Sequence, residues 1–300
     1  MSKSIAGSLR SIAIGVADLA AAEQFYVSTW NLQVAARTAD AVYLRGSGPA
    51  HHILALHGGA GADVRQVTFC VAAETDLELI AERVTCHGGS VLRGRHAVDE
   101  PGGGMAVLVA DPQGRVLRFV HGDQTHTDMA PLPDQPVKIT HVVFNSSDVA
   151  SGQRFYEDAL GFTLSDRTRI MAFLRCGSDH HSIALADADS NTLNHIAFVM
   201  PDLDAVMRGG GRMRDAGYPI EWGVGRHGPG NNAFAYFIGP AGFVIEYTAE
   251  VQQVDDSYVP GGPDDWKWPP GRFDHWGVSA PPSDRIKQAQ RTITFAPSAF

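Results

Sequence analysis

Ser11–Val34 reads SIAIGVADLAAAEQFYVSTWNLQV, and Thr140–Leu164 reads THVVFNSSDVASGQRFYEDALGFTL. Each opens with an apolar, largely alternating run (Ile12, Ile14 and Val16; Val142 and Phe144), the pattern of a strand with one buried face. Each then sets an aspartate, Asp18 or Asp148, where a side-chain oxygen caps a helix. Each continues as an amphipathic helix in which Phe25-Tyr26 correspond to Phe155-Tyr156. Further strands follow in both: VYLRGSGPAHHILAL (Val42–Leu56) and AFLRCGSDHHSIAL (Ala172–Leu185).

The stretches between these blocks repeat as well. RQVTFCV (Arg65–Val71) precedes a helix predicted from about Thr75 to a Gly88-Gly89 stop, then AVLVADPQGRVLRFV (Ala106–Val120). Its counterpart is NHIAFVM (Asn194–Met200), a helix predicted from about Asp202 to Gly217 despite Gly209–Gly211, then YFIGPAGFVIEYT (Tyr236–Thr248). The expectation is an α+β chain of four β-α-β-β-β modules, near residues 8–57, 63–122, 137–186 and 192–249. Paired, they make two similar domains, each an incompletely closed mixed β-sheet barrel with outer helices. The expected divisions are an N-terminal domain over 1–127, a linker over 128–136, a C-terminal domain over 137–250, and a Pro- and aromatic-rich extension over 251–300. That extension, with Trp266, Trp268 and Trp276, is expected to lie extended over the C-terminal domain as a lid or subunit contact.

Of the 300 residues, 44% are hydrophobic and 19% charged, enough to bury a core. The net charge of −9 disfavours nucleic acid and anionic membrane as partners. No apolar run approaches the roughly 18 residues of a membrane span, and no secretory signal is expected at the N-terminus. Cys70, Cys86 and Cys176 fit no disulfide framework or zinc spacing, so a reducing cytoplasm is the expected location.

In a duplicated scaffold, polar residues present in one copy only are the informative ones. Alignment of Phe155 with Phe25 puts His141 opposite Ser11. Phe198 on Phe69 puts His195 opposite Gln66, and Gly242 on Gly114 puts Glu246 opposite Arg118. A hydroxyl, an amide and a cation cannot hold a divalent ion; two imidazoles and a carboxylate can. With coordination positions left open, that set suits non-haem Fe(II), with zinc less favoured. The N-terminal half is expected to be without metal.

These residues resemble the vicinal oxygen chelate superfamily and, within it, the type I extradiol ring-cleaving dioxygenases. Gly225–Tyr247, GRHGPGNNAFAYFIGPAGFVIEY, is similar to the family signature at His227, Tyr236, Pro240, Gly242 and Glu246; Ala235 and Gly239 depart from it. The resemblance implies Fe(II), or Mn(II), held by His141, His195 and Glu246, and ring cleavage of a catechol-type diol by O2 in aromatic compound degradation. It implies that His181, before Ser-Ile-Ala-Leu, steadies oxygen and donates a proton, with adjacent His180 the competing choice. His227 and Tyr236 would hydrogen-bond the substrate, with Trp222 as a pocket wall disfavouring a carboxylated ring. The expected partners are an aromatic diol, O2 and further copies of the chain in a homo-oligomer. The alternatives are a hydroxyphenylpyruvate-type or hydroquinone-cleaving dioxygenase, or a metal-free binder of the bleomycin-resistance kind.

Overall fold

A computed structural model describes residues 5–127 and 132–296; positions 1–4, 128–131 and 297–300, parts of the predicted N-terminal domain, linker and extension, lie outside the described residues. The first half runs β1 (Ala6–Val16), α1 (Leu19–Ser28), β2 (Gln33–Arg37), β3 (Ala41–Arg45), β4 (Leu54–Gly58), β5 (Asp63–Val71), α2 (Asp76–Cys86), β6 (Ser90–Ala97), β7 (Met105–Ala110) and β8 (Val116–His121). The second repeats that order with β9 (Lys138–Ser146), α3 (Val149–Asp158), β10 (Thr163–Arg167), β11 (Met171–Arg175), β12 (Ile183–Asp187), β13 (Leu193–Val199), α4 (Leu203–Asp215), β14 (Trp222–Arg226), β15 (Ala233–Ile238) and β16 (Val244–Ala249).

Each half forms one eight-stranded sheet, β2-β3-β4-β1-β5-β8-β7-β6 and β10-β11-β12-β9-β13-β16-β15-β14. Both sheets are mixed: the central pair β9–β13 is antiparallel, while β9–β12 and β13–β16 are parallel. Neither closes, because β2 and β6, like β10 and β14, stay at opposite edges. The α+β modular architecture read from the repeats is therefore the one the chain adopts.

The predicted caps form: Asp18 accepts from the Ala21 N–H and Asp148 from the Ser151 N–H, both at 2.9 Å. Helix α4 runs through its three glycines because the close approach is used. A Cβ on Gly209 would come within 2.8 Å of the Tyr247 ring. Tyr247 in turn stacks on Trp30, at the end of α1, with centroids 3.6 Å apart. Its hydroxyl donates to the Trp30 carbonyl at 2.9 Å. On the other side, Arg115 pairs with Asp111 in full burial and donates to the Asn145 carbonyl at 2.7 Å. One apolar cluster consequently runs through both halves, and truncation of a fully buried aromatic such as Trp30 is of the kind that costs roughly 3–5 kcal/mol.

The extension differs in extent from its expected place. It crosses the C-terminal sheet, forms a short helix α5 (Asp284–Ala289), and ends on both halves. The Leu193 N–H donates to the Ile293 carbonyl (2.8 Å) and the Val64 N–H to the Thr294 carbonyl (2.9 Å). Its backbone can do this because β5 and β13 leave N–H groups to satisfy at these ends.

Candidate metal centre and active site

Register assembles the site. His141 on β9 pairs with Ala197 on β13, Ala197 with Glu246 on β16, Glu246 with Tyr236 on β15, and Tyr236 with Trp222 on β14. Paired residues share a face of a sheet, and His195 joins them because residues two apart on a strand point the same way. Ala197, at the centre of the row, leaves the space above its methyl to the larger side chains on either side. The same row in the first half is Ser11, Thr68, Arg118, Leu108 and Arg93.

His141, His195 and Glu246 are buried, and one ligand-type atom of each lies within 4.8 Å of the others. Glu246 Oε2 is 3.2 Å from His141 Nε2 and 3.3 Å from His195 Nε2. Burial pushes the Glu246 pKa up, but the His141 and His195 imidazoles outweigh it and hold the carboxyl below the usual range. Burial lowers the His195 pKa, with Glu246 opposing in part, and favours the uncharged ring.

The proton on that ring can be placed. The Gln290 carbonyl, which only accepts, takes a bond from Asn145 Nδ2 (2.6 Å). Asn145 Oδ1 therefore accepts from Asn194 Nδ2 (2.9 Å), and Asn194 Oδ1 faces His195 Nδ1 at 2.8 Å. His195 thus carries its hydrogen on Nδ1 and turns a bare Nε2 toward a carboxylate oxygen, two acceptors 3.3 Å apart in a buried place. A divalent cation between them removes the conflict, and neutral imidazole plus carboxylate is the donor chemistry such a cation takes. The residues fit a metal.

The other predicted residues gather around this centre. The His181 ring lies 4.2 Å from that of His141, centroid to centroid. Burial first, then the neighbouring histidines, hold its pKa well below the ordinary value. His227 Nε2 and the Tyr236 hydroxyl are joined at 2.9 Å, and the same hydroxyl is 3.5 Å from His195 Nε2. Burial pushes the Tyr236 pKa well up and takes His227 down to about 4. Trp222 stacks on Tyr236 with centroids 5.0 Å apart.

Sequence reasoning missed several supporting residues. Asn232 donates to Glu246 Oε1 (3.3 Å) and Thr248 Oγ1 (2.7 Å). Asn194 orients His195 as described. Gly228 and Gly230 let the loop carrying His227 lie flat: a Cβ on Gly228 would meet Trp268 Cζ2 at 2.5 Å, and one on Gly230 would come within 3.2 Å of the His181 ring with φ at +81°. In the first half the equivalent row is closed by Arg118, which donates to Glu100 Oε2 (2.6 Å) and Thr68 Oγ1 (3.1 Å).

Residues 8–119 and 138–247 match the Glyoxalase/Bleomycin resistance protein/Dioxygenase superfamily, and this chain belongs to it. It is similar to metapyrocatechase 2 of Cupriavidus necator, 36% identical over 155 residues that cover 49% of this chain and 46% of that protein, so the match spans about half the relative's length. It is also similar to biphenyl-2,3-diol 1,2-dioxygenase of Paraburkholderia xenovorans (strain LB400), 27% identical over 84% of this chain and 90% of that one. Among solved structures, the Mn(II)-bound glyoxalase from Novosphingobium aromaticivorans superposes with a TM-score of 0.87 at 31% identity, covering 94% of each chain. The curated relatives are thus extradiol dioxygenases, as the resemblance at His227–Glu246 implies.

Proposed function

We propose that the C-terminal half carries a metal-dependent extradiol dioxygenase site acting on a neutral, catechol-type aromatic diol, with His141, His195 and Glu246 holding Fe(II), or Mn(II) in its place. The observation that carries this reading is the buried carboxylate facing bare imidazole nitrogen, ringed by His181, His227 and Tyr236. The bound metal supplies the positive charge that takes up the diol as an anion and the electronic access to O2. Tyr236 and His227, already bonded to each other, present a hydroxyl and a ring nitrogen to the diol oxygens. The Trp222 ring walls the pocket beside them without offering a cation to a carboxylated ring. His181 takes up a proton at Nε2, the nitrogen left free by its bond to His180, and gives it back later in the reaction. Aromatic compound degradation in the cytoplasm, by a homo-oligomer, is the setting proposed.

The manganese-bound glyoxalase relative favours a second reading, Mn(II)-dependent chemistry on a substrate that is not an aromatic diol. Metal analysis and a panel of catechols and hydroquinones separate the two. Wild-type protein is expected to hold one iron per chain and to yield a ring-opened semialdehyde, whereas Glu246→Gln loses most of its iron. Full iron occupancy in that variant overturns the ligand set, and an iron-loaded enzyme inert toward every diol overturns the activity.

A further inference from the structure

The histidine pair before β12 occurs in both halves with the same internal geometry. His51 and His52 sit with Nδ1 atoms 3.1 Å apart, as do His180 and His181. What lies behind the pair differs. Asp166 on β10 pairs with Phe173 on β11, and the corresponding position on β2, paired with Tyr43 on β3, is Ala36. The carboxylate therefore occurs only in the half that has the histidine and glutamate cluster. It is fully buried, and its Oδ2 lies 2.8 Å from His180 Nε2.

We infer that Asp166, through His180, sets which nitrogen of His181 carries the hydrogen, so that His181 presents a bare Nε2 to the site. Asp166 Oδ1 accepts from the Gly261 N–H (2.7 Å) and the Tyr258 hydroxyl (3.2 Å). Oδ2 accepts from His180 Nε2, which must carry its hydrogen. With this single hydrogen on its ring, His180 has a lone pair at Nδ1, and His181 Nδ1, 3.1 Å away, donates to it. Nε2 of His181 is left without a hydrogen and, among the described residues, without a hydrogen-bonded partner. Burial, with Asp166 adding, pushes the Tyr258 pKa up to about 12, so the hydroxyl stays a donor. Asp166 and His180 touch no reacting atom; they are positioning residues. Tyr258 and Gly261 belong to the extension, so the segment that follows the last strand takes part in this ordering.

Asp166→Asn inverts the arrangement without changing its shape. The Gly261 N–H keeps the amide oxygen at the Oδ1 position, which turns the amide NH2 toward His180 Nε2. That nitrogen must then accept, His180 Nδ1 must donate, and the hydrogen of His181 moves to Nε2. The test is 15N NMR of the full chain labelled at histidine, with Zn(II) as a diamagnetic metal and again without metal, the His181 signals being identified by their loss in His181→Asn. Wild type is expected to show a bare Nε2 and protonated Nδ1 in His181, and Asp166→Asn the reverse. In the iron-loaded enzyme that variant should lose at least ~10-fold in kcat, with KM and iron content within about twofold.

A wild-type His181 protonated at Nε2 overturns the inference and does not depend on the folding of Asp166→Asn. So does an Asp166→Asn spectrum identical to wild type. This inference rests on the role proposed for His181, but the two fail separately. An inverted tautomer with unchanged turnover removes the catalytic role and leaves the ordering intact, while inactivity toward all diols leaves both NMR outcomes readable.

Discussion

Two ring nitrogens, His141 Nε2 and His195 Nε2, lie 3.2 and 3.3 Å from one carboxylate oxygen, Glu246 Oε2, with the His181 ring beside them. Neighbours orient these groups: Asn194 holds His195, His180 holds His181, and Asn232 holds Glu246. On the role proposed for His181, acting on the proton rather than on the metal, His181→Asn is expected to retain iron and diol binding while turnover falls by roughly 10²-fold or more. Single-turnover kinetics with a bound diol check this, and unchanged turnover moves the role elsewhere. The candidate metal ligands were legible in the sequence because His141, His195 and Glu246 stand opposite Ser11, Gln66 and Arg118 in the other copy. The same comparison contains Asp166 opposite Ala36. In sequence, a lone aspartate on a short strand is indistinguishable from an edge charge; its burial comes from Tyr258 and Gly261 of the distant extension.

Elements carry the site by alignment more than by local preference. The five-strand row from His141 to Trp222 exists because β9, β13, β16, β15 and β14 pair in that order, and a one-residue slip in any of them would turn its contribution to the other face. The equivalent row of the first half carries cations at its middle, Arg118, and at its end, Arg93. Arg118 stands where Glu246 does in the other sheet, so no divalent ion is expected there. Arg118→Ala should leave iron per chain and turnover within a few fold while destabilising the protein by about 1–3 kcal/mol, since it strands Glu100 and the Thr68 hydroxyl. Urea denaturation alongside metal analysis measures both, and a second metal in the first half would contradict the assignment. Strands, helices and caps could be read locally, as periodicity and capping are local. The paths that bring Gln290 behind Asn194 and Trp268 against Gly228 could not, because the extension's Pro- and Gly-rich sequence has no period to project.

At the scale of the molecule, two sheets share one apolar interior and one strap. The strap pairs with Asp166 on β10, lies against the loop bearing His227, and finishes between β13 and β5. Ile293 is its buried anchor at the far end. Ile293→Ala is expected to cost about 2–5 kcal/mol, read as a lowered urea midpoint with unchanged slope; a midpoint equal to wild type would show that the strap end contributes nothing to stability. This route also orders events during translation. Every strand of both sheets has been synthesised by Ala249, yet the groups that hold Asp166 and Asn194 in place come from Tyr258, Gly261 and Gln290. At ~5–20 residues per second, the chain spends a few seconds between completing its last strand and adding Gln290, with the strands of both sheets synthesised and the contacts that orient Asp166 and Asn194 still unmade.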